Sequence, residues 1–377
     1  MYHECSGEVL ILMARMDFKN IFYNQRHNRN TLISGLDSVL ETELAQVTTI
    51  PYACENNEID CFKSYVGSRT FEVIYSNDDV TLFKLIFYPT RSDSDSTPIE
   101  GDFFVCRHPS LINISLIFTL EPTDFLRRAL FPFIEQHKSR FYLTFLRHEY
   151  LHQLLRDFQN KRNFTNLTVV RASHVNRFEA GRRETMIPTV SWPPGLSLES
   201  AFSYAQEQNA WFRSLSVEAY RNNQLVVELT VHRNGVIKTN HNFHGIYDSL
   251  VLPICNLIDE NIKLFTKRAR RENPQLEVRP LAIQFGSDQF KDIEENTRFI
   301  SAIRKLDNAS ISVIHGNPYI SMSVVDYSDG STFDLWVLNS NELVIIPQLK
   351  SSIQAMKRLI SCVFDNYAEG EIKDFHS

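Results

Sequence analysis

The sequence is poor in cysteine for its 377 residues, and no two cysteines form a CxxC pair: Cys5, Cys54, Cys61, Cys106, Cys255 and Cys362 lie scattered. That spacing excludes a dense disulfide framework and predicts the reduced thiols of a cytoplasmic protein. Cys54 and Cys61, with six residues between them, have the one spacing a bridge or a metal could use; two semi-buried thiols are the expected outcome. Long apolar runs are also missing. None approaches the roughly 18–20 residues that cross a bilayer, so no membrane association is expected. The short run Val9–Met13 is preceded by acids and followed by no small-residue cleavage site, which predicts no secretion signal. Only 12 glycines are present, with no GxxxxGK[ST], GxGxxG or GxSxG pattern. That leaves a P-loop nucleotidase, a dinucleotide enzyme and a serine hydrolase without their anchoring motifs. The net charge of −6 argues against a surface coated for non-specific nucleic-acid binding, though not against a local basic site.

What is present is material for packed cores: 43% of residues are hydrophobic and 12% aromatic. The length exceeds what one ordinary core organises, so a multi-domain chain is expected. Four segments are predicted: a strand-rich domain over residues 1–122, a basic helical segment and loop over 123–198, and two α+β modules over 199–286 and 287–377. In the first, Thr70–Ser76 and Val80–Tyr88 are rich in aromatic and β-branched residues around Asn77-Asp78-Asp79, which reads as a hairpin. A helical region is predicted from Pro122 to about Lys161, with a break near Pro132. The last two segments repeat an order of elements, α-β-β-β-α, with Asn222-Asn223, Asn234-Gly235 and Asp329-Gly330 as turn signals between alternating runs. The fold class is therefore α+β, with antiparallel sheets each packed with helices on one face and a possible duplicated unit in the C-terminal half.

The sharpest local motif is His148-Glu149-Tyr150-Leu151-His152, an H-E-x-x-H pattern in helical context. Histidines at i and i+4 share one helix face and can grip one Zn²⁺, and the intervening glutamate can polarise a zinc-bound water. Over about a dozen residues this resembles the zincin metallopeptidases. The resemblance implies His148 and His152 as metal ligands and Glu149 as general base. Glu179 is the first candidate for the third ligand, with Glu184 and His174 behind it. The alternative is an amphipathic helix whose histidines make ordinary polar contacts.

The second signal is charge segregation. Between Asp124 and Glu184, twelve Lys and Arg face six Asp and Glu, a local net of +6 inside a chain of −6. A further basic run, Lys267, Arg268, Arg270 and Arg271, ends a predicted helix over residues 247–271. Arginine dominates, and its planar fork suits phosphate or carboxylate partners. Arg171, Arg177, Arg182 and Arg183, with Lys267, Arg268, Arg270 and Arg271, are the candidate binding residues, and Phe178, Trp192 and Trp211 the candidate stacking groups for DNA or RNA. An acidic protein partner is the other candidate ligand. His232, His241 and His244 near Gly245 read as scattered surface histidines, and Asp326 and Asp329 as turn formers. With no complete catalytic constellation, the expected function is a non-catalytic binding or scaffold subunit of a multiprotein assembly that handles nucleic acid. A bacterial phage-defence complex fits this texture. No cofactor is expected; the alternative is a Zn²⁺-dependent hydrolase.

Overall fold

The structure is a computed structural model, and it describes residues 22–23, 25–42, 45–54, 62, 68–89, 97–137, 140–176, 195–208, 210–269 and 279–375. The chain forms two compact units. The first comprises Met1–Ser173, Ser191–Tyr204 and Phe212–Asp259; the second comprises His174–Val190, Ala205–Trp211 and Glu260–Ser377. The α+β class and the multi-domain organisation stand, with one antiparallel sheet of eleven strands and one of six.

The first unit holds α1 (Arg29–Thr42) and strands β1 (Val47–Cys54), β2 (Arg69–Ser76), β3 (Val80–Phe87), β4 (Ile99–Arg107) and β5 (Ile114–Thr119). The helical stretch α2 covers residues 123–136, and β6 (Phe141–Tyr142), α3 (His148–Lys161), β7 (Asn166–Asn176), β8 (Leu196–Ser197) and α4 (Leu198–Glu207) follow. Then come β9 (Ala210–Arg221), β10 (Gln224–His232), β11 (Ile237–Thr239) and the long helix α5, residues 243–266, whose residues from Glu260 onward belong to the second unit. The strand order is β2-β3-β4-β5-β1-β11-β10-β9-β7-β8, with β6 also paired to β1. Residues 47–54 and 237–239 are thus neighbours in one sheet, so the segments 1–122 and 199–286 share a sheet instead of forming separate bodies.

Strand β1 runs through the middle of this sheet with a proline inside it. Pro51 lies opposite Leu116 of β5. On its other side β1 pairs with β11 only as far as Thr49, and with β6 only from Ala53. The proline, which has no N–H to donate, sits in the gap between the two partners.

Helix α2 covers one face of the sheet. Phe125, Leu126, Ala129, Leu130, Phe133 and Ile134 enter a core with Ile50, Tyr52, Phe83, Leu85, Phe103 and Ile117. The close approach needs a glycine: a Cβ on Gly101 of β4 would lie 2.5 Å from the Phe125 ring. The alternate residues face the opposite way and are covered as well. Phe104 meets Phe22 edge-on, and Phe118 meets Phe243 of α5 edge-on. The centre of this sheet is therefore buried on both faces, which is why β1 and β5 read as unbroken buried strands.

Two π-helical stretches occur, Leu126–Leu130 in α2 and Tyr247–Val251 in α5. Each lies just before a proline, Pro132 and Pro253, and contains the residue four positions upstream of it, Arg128 and Ser249. A proline in a helix lacks an N–H and crowds the carbonyl at i−4; the wider π-turn relieves both. The expected break near Pro132 is this local widening. The true interruption is later, where β6 (Phe141–Tyr142) separates α2 from α3.

The second unit holds β12 (Leu281–Phe285), α6 (Ile293–Ile303), β13 (Ala309–His315), β14 (Ile320–Asp326), β15 (Ser331–Asn339), β16 (Glu342–Pro347), α7 (Ile353–Asn366) and β17 (Gly370–Asp374). Its sheet runs β13-β14-β15-β16-β12-β17. Ile320, Met322, Val324, Phe333, Leu335, Val337, Leu343 and Ile345 form the buried face, together with Phe299, Ala302, Met356, Leu359 and Val363 of the two helices. The order α-β-β-β-α recurs as expected, with the fourth strand β16 in the second copy. The boundary drawn at 287 moves, because β12 lies before it and pairs with both β16 and β17.

Candidate functional site

Helix α3 opens at His148, after an extended Arg147, and buries Leu151, Leu154, Leu155 and Phe158 at helical spacing. His148, His152 and Arg156 fall at i, i+4 and i+8, so they form a second stripe on the same helix. This stripe meets α4. The His152 ring stacks on Phe202 at 4.3 Å between centroids, and the His148 ring lies against Phe202 at 4.7 Å and stacks on Phe212 at 5.3 Å. His152 Nε2 lies 3.0 Å from Glu199 Oε2. Arg156 donates to Glu199 Oε1 from Nε at 3.0 Å and from Nη2 at 2.6 Å. The Arg156 fork and the His152 ring hold the Glu199 carboxyl below its ordinary range, against the smaller opposing effect of desolvation.

The structure therefore brings His148 and His152 onto one face, as the motif requires, and adds a carboxylate the motif did not identify, Glu199. Among the described residues, the groups around this stripe are already engaged by other partners. A guanidinium already neutralises Glu199, both imidazoles are stacked on phenylalanine rings, and Glu149 points to solvent. Among the described residues no group of three or more His, Cys, Asp or Glu side chains is arranged to hold a metal ion. Glu179 and Glu184 lie outside the described residues. His174, on β7, is pushed below the usual histidine range by burial. We expect zinc in the purified protein far below one ion per chain, unchanged by His148→Ala; stoichiometric zinc lost in both His148→Ala and His152→Ala would restore the enzyme reading. Elemental analysis measures this directly.

The basic candidates separate into spent and free charges. Arg268 is buried, donates to the carbonyls of Leu264 and Pro280 and pairs with Asp374, so it holds the end of α5 in place and is withdrawn from the binding set. Lys267 reaches the same Asp374 at 4.0 Å. Arg127 and Arg128 pair with Asp124 within α2. Arg162 donates to Gly245 O and Ser249 Oγ, and Lys161 donates to Asp248 O. Arg171 is exposed on β7. Arg177, Arg182, Arg183, Arg270 and Arg271 lie outside the described residues, as do Phe178 and Trp192. Trp211 is buried and unavailable for stacking. Five of the twelve basic residues of the +6 segment, Arg127, Arg128, Arg156, Lys161 and Arg162, thus make contacts within the fold, and Arg127, Arg128 and Arg156 stay 77%, 48% and 47% exposed.

The three histidines near Gly245 have separate roles. Burial, with Lys238 nearby, pushes His232 down to about 4. His241 Nδ1 lies 3.1 Å from Leu40 O, and His244 Nδ1 lies 3.3 Å from Asp248 Oδ2. Asp326 and Asp329 do form turns, accepting from the amides of Ser328 and Ser331 at 2.9 Å each. The four described cysteines, Cys54, Cys106, Cys255 and Cys362, are buried.

One surface went unpredicted. Among the described residues, eleven large hydrophobic side chains are exposed, and seven of them fall between Ile293 and Leu349, on the second unit. Antiparallel register defines its face: Ser321 lies opposite Trp336, which lies opposite Val344. Tyr319, two residues before Ser321, and Leu338, two after Trp336, share that face at the same end of the hairpin. Trp336 is 42% exposed, Leu338 48%, Tyr319 62%, and Ile314 on the neighbouring strand 69%. Alternation alone gave no sign of this, because an outward tryptophan in a strand reads like any other half-buried position. No described helix is long and apolar enough to cross a membrane. No family model and no curated protein matches the chain.

Proposed function

We propose that this protein is a non-catalytic binding subunit of a multiprotein assembly, and that it holds its protein partner through Tyr319, Trp336, Leu338 and Ile314. The observation that carries the reading is the gathering of exposed aromatic and aliphatic side chains at one end of the second sheet. Such clusters, when polar residues surround them, mark interaction surfaces. The neighbours here are Ser321, Ser323, Asp334 and His315, which supply that polar surround.

Nucleic acid is the second reading. It is favoured by the exposed Arg171 on β7, the strand that leads into the RFEAGRRE segment at residues 177–184. The setting would then be an assembly that acts on DNA or RNA, as in antiviral defence.

The test is co-purification from the native host with the tagged full chain. The triple variant Tyr319→Ser, Trp336→Ser, Leu338→Ser is expected to lose the co-purifying protein at unchanged thermal stability. Charge reversal at Arg171, Arg177, Arg182 and Arg183 is expected to keep it. If the triple variant keeps its partner, the protein-docking reading fails. If gel shifts show salt-dependent binding that only the charge-reversed variant loses, the nucleic-acid reading replaces it.

A further inference from the structure

A sheet ends in strands whose outer N–H and C=O groups are unpaired and can template another strand. The two sheets end in β2, β8, β13 and β17. Three of these ends are guarded. Strand β2 carries Arg69 and Glu72 and has a register shift between Val73 and Tyr75. Strand β8 is two residues long. Strand β17 carries Glu371, Lys373 and Asp374. Charge, shortness and irregularity are the ordinary defences against edge-to-edge association.

Strand β13 has almost none of them. Its seven residues, ASISVIH, include no Lys, Arg, Asp, Glu, Pro or Gly. Its one register shift falls at the C-terminal end, between Val313 and His315, and Ala309–Val313 pairs in regular register with β14. Ser310, Ser312 and Ile314 are exposed, while Ile311 and Val313 on the other face are only half-buried. Among the described residues no strand covers the outer edge of β13.

We propose that β13 pairs antiparallel with β13 of a second copy of this chain, across a two-fold axis at Ser312, joining two six-stranded sheets into one of twelve. The strand's own composition selects the occupant. Two-fold antiparallel pairing sets Ser312 against Ser312, Ile311 against Val313 and Ser310 against Ile314. A charged strand would meet its own charges in that arrangement, and like charges directly opposite destabilise a ladder. β13 has none to repel, and offers nothing for a charge-selected peptide to read. The small serine at the axis permits close approach. The facing Ile311 and Val313 pairs complete the burial that the end of the sheet leaves half done. The contact is self-complementary and closed, as a two-fold interface must be. It goes beyond the partner-binding reading and does not depend on it, because it concerns the purified chain alone.

The experiment is mass measurement by light scattering and sedimentation on the full chain. The natural chain is expected to be a dimer. The double variant Ser310→Lys, Ser312→Lys changes exposed positions only, so its melting temperature should hold. Its dissociation constant is expected to rise about tenfold or more, because four lysines meet at one junction. Ser310→Asp, Ser312→Asp should do the same. Mixing the lysine and aspartate variants should restore a dimer containing one copy of each. A natural chain that stays monomeric, or a folded lysine variant as dimeric as the natural chain, overturns the proposal. So does a mixture that stays monomeric. If the lysine variant does not fold, the aspartate variant and Ser312→Thr, expected to remain dimeric, decide it.

Discussion

Arg358→Met is expected to destabilise the second unit by about 3–5 kcal/mol, because it strands a buried carboxylate. Asp326 is 1% exposed at the end of β14. Arg358 on α7 places Nε and Nη2 each 2.7 Å from its Oδ2, while Oδ1 accepts from the Ser328 amide. Asp329 joins this group: its Oδ2 lies 3.6 Å from Arg358 Nη2 and accepts from Ser352 Oγ, the hydroxyl that also caps α7 through the Ala355 amide. The network ties the turn after β14 to the start of α7. Losing one partner leaves the other without solvation, whereas removing both restores much of the loss. The double variant Arg358→Met, Asp326→Asn should therefore lie closer to the natural chain than the sum of the two single variants. Denaturant unfolding of all four proteins measures this, and a single variant within about 1 kcal/mol of the natural chain would sink the argument.

The same network sets an acid limit. Burial tends to raise the Asp329 carboxyl, but the hydrogen bonds from Ser331 and Ser352 and the charge of Arg358 together hold it below its ordinary value. Its contribution is thus present above the unfolded carboxylate range, near pH 4, and is lost as the pH falls through the lower folded value.

The hairpins of the second half were legible because turn chemistry is local. Asn222 and Asn223 both take positive φ, 51° and 62°, as a two-residue hairpin turn requires, and Gly235 and Gly330 take 82° and 75°. Strand β10 accordingly begins directly after the Asn222-Asn223 turn, at Gln224. What failed was long-range. Strand β1 contains Pro51, which argues against a central strand until its two partial partners are known. Strands β12 and β17 are five residues each and acquire meaning only as neighbours 85 or more positions apart in the chain. Pro132 was a local signal read as a break, and Pro253 was passed over inside a helix expected to run through it; both mark a π-helical turn.

The site shows the same division. Helical spacing put His148 and His152 on one face correctly. It could not supply Phe202, Phe212 or Glu199, which reach that stripe from α4 and β9 and turn a metal-like motif into stacked rings and a paired carboxylate. Nor could composition distinguish Arg268, buried under the end of its own helix, from Arg171, which faces solvent. A charge count treats both alike, although only the second is free to meet a partner.

Phe62→Ala is expected to cost the first unit about 3–5 kcal/mol, matching the loss of a large buried aromatic. Phe62 is 1% exposed, and its ring centroid lies 5.1–5.5 Å from those of Phe71, Phe83, Phe103, Phe133 and Phe141. Those five rings come from β2, β3, β4, α2 and β6, so one side chain touches every layer of this core. Removing it opens a cavity whose walls are other aromatic rings. Each is held by its own backbone, in part by the contact of Phe125 with Gly101, so the walls have little freedom to collapse inward. Phe62→Leu keeps most of the volume and should cost under about 1.5 kcal/mol. Hydrogen exchange should localise the effect to β2, β3, β4 and α2, where the lining residues lie. If Phe62→Ala costs under about 1 kcal/mol, or exchange in those elements stays unchanged, Phe62 is not the centre of this core, and α2 is held to the sheet by the Phe125–Gly101 approach and its neighbours alone.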